Sequence, residues 1–234
     1  MVLKAVFLEF RGVIIRDEAL RRDLVDALLL GENLRPNPAD FVQMCRGRGD
    51  RTCLQGLLTQ RGRVVTEDYL NKLLAKQSGQ YCQQLMALER LPIYPGLTDW
   101  LYQLKAAQLP VGIVTAAQRP DVAWVLAQAN LSDSLTIWVT DEDIPLGQDK
   151  PVAMPYQLAL DRLNQEHPTL QARPEECLAI EASFNGIAAA QAAGIPVAGV
   201  AHQYPYRMIQ RRADWVVDYL SELDLDWLQQ QYNE

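Results

Sequence analysis

Six short apolar segments along the chain have the length and composition of buried strands. Several are rich in Val and Ile without strict alternation of apolar and polar residues, which is typical of parallel strands covered on both faces. Helical patterns separate the later segments, and this alternation predicts βαβ units in a doubly wound parallel sheet. The predicted strands are 4–9, 111–115, 135–140, 177–181, 196–200 and 214–218, and the predicted helices are 96–107, 119–130, 152–165 and 184–193.

Residues 16–90 interrupt this alternation with helical patterns and no convincing strand. Thr66, followed by two acidic residues, is typical of a helix N-cap. The simplest organisation is an α/β core domain formed by residues 1–15 and 91–234, with an all-helical cap domain, residues 16–90, inserted after the first strand. We expect the functional cleft between the two domains. The predicted cap helices are 17–30, 51–60 and 66–88.

Composition and charge narrow the classes of protein to which the chain can belong. The chain has 234 residues and a net charge of −7, which argues against a general nucleic-acid binder because such proteins present a basic surface. No apolar run reaches the roughly 18 residues that a membrane span needs. The N-terminus has no signal-peptide pattern, so we expect a cytoplasmic protein. The four cysteines, which form no CxxC pair, are then expected to be buried reduced thiols and not a zinc site: Cys45, Cys53, Cys82 and Cys177.

Several motifs add to this framework. They are "YPGL" at 94–97, "VGIVTAA" at 111–117, "DKPVAMPYQLAL" at 149–160 and "CLAIEASFNGIAAAQAAGIPVAGV" at 177–200. In this order the chain resembles the haloacid dehalogenase (HAD) superfamily over nearly its whole length, specifically the β-phosphoglucomutase-like phosphatases with a helical cap. The resemblance implies a Rossmann-like core sheet and Mg²⁺-dependent phosphoryl transfer. It also implies an Asp nucleophile, an Asp acid/base, a Ser/Thr and a Lys that hold the phosphoryl group, and an acidic pair that holds the metal.

The candidate site keeps some of these residue types and lacks others. By resemblance, Thr115 and Lys150 are the phosphate-binding positions, and Glu181 is the first member of the acidic pair. Three positions depart: Glu9 replaces the nucleophile, Arg11 the acid/base, and Ala182 the second acidic residue.

All three departures affect the same mechanism, the Mg²⁺-dependent phosphoryl transfer that the resemblance implies. Glu9 keeps a carboxylate but lengthens its side chain, and a shift of about 1 Å in a reacting group can cost about 10²-fold in rate. A guanidinium group at Arg11 cannot exchange protons near neutral pH, and Ala182 removes a metal ligand. The charges of Glu9 and Glu181 balance those of Arg11 and Lys150, so we expect Arg11 to occupy the metal position and to pair with one of these carboxylates.

The cap carries "CRGRGDRTCL" at 45–54, in which Arg48 and Arg51 are candidate substrate-binding residues because guanidinium groups bind phosphate or carboxylate in a bidentate manner. A solvated loop at a helix start explains the same residues equally well. The first functional hypothesis is a pseudophosphatase with a binding or scaffolding role, toward a small phosphorylated ligand or a protein partner, without a cofactor. The alternatives are a weak or altered HAD-type hydrolase acting on a small phosphorylated metabolite, with Mg²⁺ serving any residual activity, and a metal-free anion sensor.

Overall fold

The computed structural model of the chain describes residues 2–233. Six parallel strands form one sheet in the order β3-β2-β1-β4-β5-β6. Because β1 pairs with β2 on one side and with β4 on the other, the residues that follow these three strands meet at one edge of the sheet. The six predicted strands are confirmed as β1 (Ala5–Leu8), β2 (Val111–Val114), β3 (Ile137–Val139), β4 (Cys177–Glu181), β5 (Val197–Val200) and β6 (Trp215–Val217).

Helices cover both faces of the sheet, which confirms the doubly wound α/β architecture. Along β1, Val6 and Leu8 pack into the apolar cluster on one face, while Ala5 and Phe7 pack into the cluster on the other. None of the helices that the structure describes is both long and apolar enough to cross a membrane. The core helices are α5 (Leu97–Ala106), α6 (Arg119–Gln128), α7 (Met154–Glu166), α8 (Phe184–Ala192), α9 (Tyr206–Ile209) and α10 (Leu225–Asn233), and short 3₁₀ turns lie at Ser132–Ser134, Asp141–Asp143, Pro174–Glu176 and Leu220–Glu222.

Between β1 and α5 all the regular elements are helices, and they lie in the segment that we propose as the cap domain. These helices bury an apolar cluster of their own, which includes Leu54, Leu57 and Leu73. The hydroxyl of Thr66 accepts a hydrogen bond from the amide of Tyr69 at 3.3 Å, which confirms the predicted N-cap. The cap helices are α1 (Glu18–Gly31), α2 (Pro38–Asp40), which continues as a π-helix (Phe41–Cys45), α3 (Asp50–Gln60) and α4 (Glu67–Met86).

The chain leaves the sheet through a tight turn that requires glycine. Gly12 has a φ of +84°, and a Cβ atom at this position would lie 2.6 Å from Nε2 of Gln203. Ile15 bridges to Ile93, so the segment that enters the cap lies beside the segment that returns from it. This turn therefore holds residues 9–12 against the core and starts the cap at a fixed place.

The prediction of four reduced thiols is wrong for two of them. A disulfide joins Cys45, the last residue of the π-helix, to Cys53 in α3. Spacing did not indicate this pair, because only the turn of the intervening loop brings the two Cα atoms to 4.7 Å. Cys177 is buried as predicted, whereas the free thiol of Cys82 is only partly buried.

Candidate functional site

The ends of β1, β2 and β4 bring the predicted core residues together. The ammonium group of Lys150 lies 2.5 Å from Oε2 of Glu9 and 2.5 Å from Oε1 of Glu181, and it also donates to the carbonyl of Val114 at 2.7 Å. Lys150 is 1% exposed, and both carboxylates are buried. A buried charge is stable only when it is paired and hydrogen-bonded, and Lys150 meets this condition with two carboxylates and one carbonyl.

Glu9 is the better satisfied of the two carboxylates. Its Oε1 accepts from the amides of Phe10 and Arg11 and, at 2.5 Å, from the hydroxyl of Thr115, while its Oε2 binds Lys150. Burial alone would raise the pKa of Glu9, but attraction to Lys150 and these hydrogen bonds hold it below its usual value. Glu9 is therefore the fixed anion of this cluster.

Glu181 has fewer donors. Its Oε1 accepts from Lys150 and from the hydroxyl of Tyr156 at 2.7 Å, whereas its Oε2 is buried without a hydrogen-bond partner. A Cβ atom at Gly186 would lie 2.0 Å from that oxygen, so only glycine leaves room for the carboxylate above α8. Burial raises the pKa of Glu181 to about 6, because the nearby Glu9 charge adds to desolvation and Lys150 offsets only part of it.

Arg11 does not join this cluster, so the predicted pairing of its guanidinium with Glu9 or Glu181 is wrong. Its side chain points to the cap, where Nη1 and Nη2 bind the two carboxylate oxygens of Asp50 at 3.0 and 2.6 Å. Arg21 of α1 donates to the same carboxylate at 2.7 Å. The physical reason is that Lys150 already binds both carboxylates of the core, whereas Asp50 arrives from the cap as a buried charge that needs partners.

A second carboxylate stabilises Arg11. Nε of Arg11 lies 3.6 Å from Oδ2 of Asp17, which also accepts from the hydroxyl of Tyr81 at 2.9 Å. Burial alone would lower the pKa of Arg11, but the carboxylates of Asp50 and Asp17 raise it further above its usual value. Burial would likewise raise the pKa of Asp50, but the positive charges of Arg11 and Arg21 hold it below its usual value. Both groups are therefore charged, and Arg11 cannot serve as an acid or base.

The cap loop between the disulfide cysteines closes the cleft. Arg48 is half-buried and lines a cavity of about 20 Å³ together with Glu9, Arg11 and Thr115. Such a volume holds about one water molecule. Arg51 points elsewhere: its Nε lies 3.7 Å from Oδ2 of Asp141, and it borders two neighbouring surface clefts of about 370 and 300 Å³.

The Mg²⁺ that the resemblance implies does not fit these residues. Both oxygens of Glu9 are engaged by donors, Ala182 offers a methyl group, and the Arg11 position carries a cation. Mg²⁺ is usually held through one or two carboxylates, and the one unpartnered carboxylate oxygen here belongs to Glu181, whose other oxygen Lys150 already binds. Within residues 2–233, no group of three or more His, Cys, Asp or Glu side chains could hold a metal ion.

Sequence reasoning missed the cap side of the site. Asp50 lies inside the quoted "CRGRGDRTCL" stretch, but its role depends on how the cap sits on the core. Arg21 and Asp17 lie in and just before α1 and carried no motif. The only usable signal was charge: a buried Arg11 needs an anionic partner, and Asp50 was the nearest acidic candidate on the cap loop.

The chain is similar in sequence and in fold to several known proteins. It is 25% identical over 204 residues to a phosphoglycolate phosphatase of Photorhabdus laumondii, which covers 87% of this chain and 82% of the relative. It is 35% identical to the phosphoglycolate phosphatase of Yersinia pestis over 114 residues, or 49% of this chain and 45% of the relative. Among solved structures, a β-phosphoglucomutase from Clostridium difficile superposes with a TM-score of 0.82 at 18% identity, covering 99% of this chain and 97% of the other.

A second structure has the same fold. A mutant CbbY from Rhodobacter sphaeroides, solved in complex with xylulose-(1,5)bisphosphate, superposes with a TM-score of 0.80 at 18% identity and covers 95% of this chain and 96% of its own. The model of the haloacid dehalogenase-like hydrolase family matches residues 3–194. With the sheet order, the strand-end residues and this match in agreement, the chain belongs to the haloacid dehalogenase-like hydrolase family.

Proposed function

We propose that this chain is a pseudophosphatase, a HAD-like protein that has lost metal-dependent phosphoryl transfer and acts by binding. The observation that carries the proposal is the bidentate pair between Arg11 and Asp50. It places a permanently charged group, engaged by the cap, at the position where the family needs a proton donor and acceptor. General acid–base catalysis is worth about 10²–10⁴-fold in rate, and this geometry supplies none of it.

The state of the other site residues supports the same conclusion. Glu9 is held by four donors, so its carboxylate is tied up as a structural anion. The three retained residues, Thr115, Lys150 and Glu181, bind one another or Glu9 in place of a ligand. A cavity of about 20 Å³ does not admit a phosphomonoester while the cap is closed. Binding therefore requires the cap to move, and the ligand we propose is a small phosphorylated molecule, with a protein partner as the alternative occupant.

One observation favours a weak hydrolase as the second candidate. Glu9 occupies the nucleophile position and keeps contacts with both Thr115 and Lys150, the two residues that would hold a phosphoryl group. The relatives named phosphoglycolate phosphatases suggest a small phosphorylated acid as the substrate class to examine first. In this case the activity would depend on Glu9.

A phosphate-release assay separates the two candidates. The native chain is compared with Glu9→Gln, which keeps the size of the side chain but removes its charge, over a panel of small phosphomonoesters with Mg²⁺. We expect equal, background rates for the two proteins. The triple variant Glu9→Asp/Arg11→Asp/Ala182→Asp restores the carboxylates of the family, and we expect Mg²⁺-dependent release only there.

One outcome of this assay would contradict the pseudophosphatase. Release by the native chain well above that of Glu9→Gln, on any phosphomonoester in the panel, would contradict the pseudophosphatase and support the hydrolase. Circular dichroism of each variant shows whether it is folded, so that a missing activity is not mistaken for an unfolded protein.

A further inference from the structure

The cap carboxylate of Asp50 lies inside a cage of arginine side chains. Arg11 binds it through two nitrogens and Arg21 through one, and all three residues are at least nine-tenths buried. This is the contact pattern of a bound oxyanion, with two guanidinium groups converging on one anionic group. Here the anion belongs to the chain itself.

The cage has hydrogen-bonding capacity that Asp50 does not use. The Nε atoms of Arg11, Arg21 and Arg48 are buried without a hydrogen-bond partner within residues 2–233. The same three side chains line the cavity of about 20 Å³. The hydroxyl of Ser183, which also lines this cavity, accepts from the amide of Gly186 at 3.0 Å and can donate its own proton.

The donors around this place suit a phosphate group better than a carboxylate. Without the Asp50 carboxylate, the positive charges of Arg11, Arg21, Arg48 and Lys150 would face three carboxylates, Asp17, Glu9 and Glu181, which leaves an excess of one positive charge. Asp50 balances this charge, and a phosphate monoester, which carries between −1.5 and −2 near pH 7, balances it as well. A tetrahedral phosphate also offers three oxygens to three guanidinium groups, while a carboxylate offers two.

We propose that Asp50 is the internal occupant of a metal-free oxyanion site formed by Arg11, Arg21 and Arg48, and that the phosphate group of an external ligand displaces it. The site differs from the phosphoryl site that the family resemblance implies, which uses the Thr115 and Lys150 positions with Mg²⁺. The inference rests on the proposed binding function and deepens it, because it names the ligand class and the group that competes with the ligand.

The local structure allows Asp50 to leave with its loop. Asp50 is the first residue of α3, and it follows a loop with glycines at 47 and 49. Apart from the carboxylate pairs, the nearby backbone is held to the core by few contacts. They are hydrogen bonds from the amide of Gly49 to Asp149 at 3.0 Å, from the amide of Asp50 to the carbonyl of Ala116 at 3.3 Å and from Nδ2 of Asn185 to the carbonyl of Arg46 at 3.2 Å.

The test is calorimetric titration with inorganic phosphate at pH 7.5, with a chelator present to remove divalent ions. The Asp50→Asn variant keeps the shape of the side chain but not the competing charge, so we expect it to bind phosphate at least about tenfold more tightly than the native chain. Sulfate, also a tetrahedral dianion, should behave like phosphate, and acetate should bind more weakly. Asp23→Asn, at an exposed position of α1, is the matched control and should leave phosphate affinity unchanged.

Equal phosphate affinity in the native chain and Asp50→Asn, or no binding by either, would overturn the inference. If Asp50→Asn fails to fold, Arg48→Gln decides the matter, because it leaves the Asp50 pairs intact. It should weaken phosphate binding several-fold relative to native, and an unchanged affinity would overturn the inference. Failure of the proposed function appears separately, as phosphate release from phosphomonoesters by the native chain.

Discussion

Two charged clusters lie side by side in this molecule, and they differ in what holds them. The cluster of Glu9, Lys150 and Glu181 is built from strand ends and an adjacent loop of the core. The cluster of Arg11, Asp50 and Arg21 joins the core to the cap. The first can form whether or not the cap is closed, whereas the second exists only with the cap in place. On the site and cap assignments proposed above, the chain keeps the charged framework of the family site, and the residue at the acid/base position links the core to the cap.

The largest expected effect is the loss of stability when the cation of the core cluster is removed. Lys150→Met leaves two carboxylates buried without their cation, and breaking a buried ion pair costs about 3–5 kcal/mol of unfolding free energy. Urea denaturation near pH 7.5 measures it. The matched control is Lys4→Met, because the Lys4–Glu176 pair is partly exposed and such pairs contribute about 0–1 kcal/mol. Similar losses in both variants would contradict the structural role of Lys150.

The next effect concerns the cap loop. The disulfide closes a loop with a sequence separation of 8, and loop entropy predicts about 2–3 kcal/mol of stabilisation. Cys45→Ala/Cys53→Ala should lower the melting temperature by calorimetry and should increase hydrogen exchange in residues 46–52. The control is Cys82→Ala, which removes a free thiol of the cap. A melting temperature as high as that of the control would show that the loop holds its shape without the disulfide.

A smaller effect is expected from the cap–core cluster. Asp50→Asn removes one charge from a buried network, and local cap opening can rehydrate the two arginines, so we expect a loss of about 1–3 kcal/mol. Hydrogen exchange should accelerate in residues 46–60 and stay unchanged in β1. Equal acceleration in both regions would contradict the separation of the two clusters.

The last effect is a dependence of stability on pH. Burial raises the pKa values of Asp121 and Asp141 to about 7 in each case. Between about pH 4 and 7 the folded state therefore holds protons that the unfolded state has released, so these groups make the protein less stable as the pH rises through this window. Asp121→Asn, which can still accept the hydrogen bond from Ser78, should flatten the decline of unfolding free energy between pH 5 and 7.5. An unchanged slope would contradict the raised pKa of Asp121.

The core half of the site was open to sequence reasoning. Glu9, Thr115 and Glu181 are the last residues of three strands predicted from their apolar runs, and neighbouring parallel strands place their C-terminal ends at one edge of the sheet. Lys150 was assigned by its Lys-Pro context and reaches the same edge. The choice of these residues rests on the family resemblance, and sheet order explains why they meet at one edge.

The cap half of the site could not be predicted from the sequence. The partner of Arg11 depends on how the cap packs on the core, which no periodicity along α1 or α3 specifies. The same holds for the Cys45–Cys53 disulfide, since a spacing of eight residues fits a disulfide only if the loop between them turns back. For this reason Arg11 was assigned to a carboxylate close in the core, and Asp50 and Arg21 were missed.

The most direct test of the central claim is a crystal structure determined with abundant Mg²⁺ and inorganic phosphate. The claim is that the site no longer binds Mg²⁺, because Glu9 is fully engaged by hydrogen-bond donors and Arg11 takes the acid/base position. We expect Lys150 to remain between Glu9 and Glu181, no Mg²⁺ ion beside Glu9, and Arg11 bound to Asp50 or to phosphate but not to Glu9 or Glu181. An octahedral Mg²⁺ ion bound to Glu9 would contradict the account.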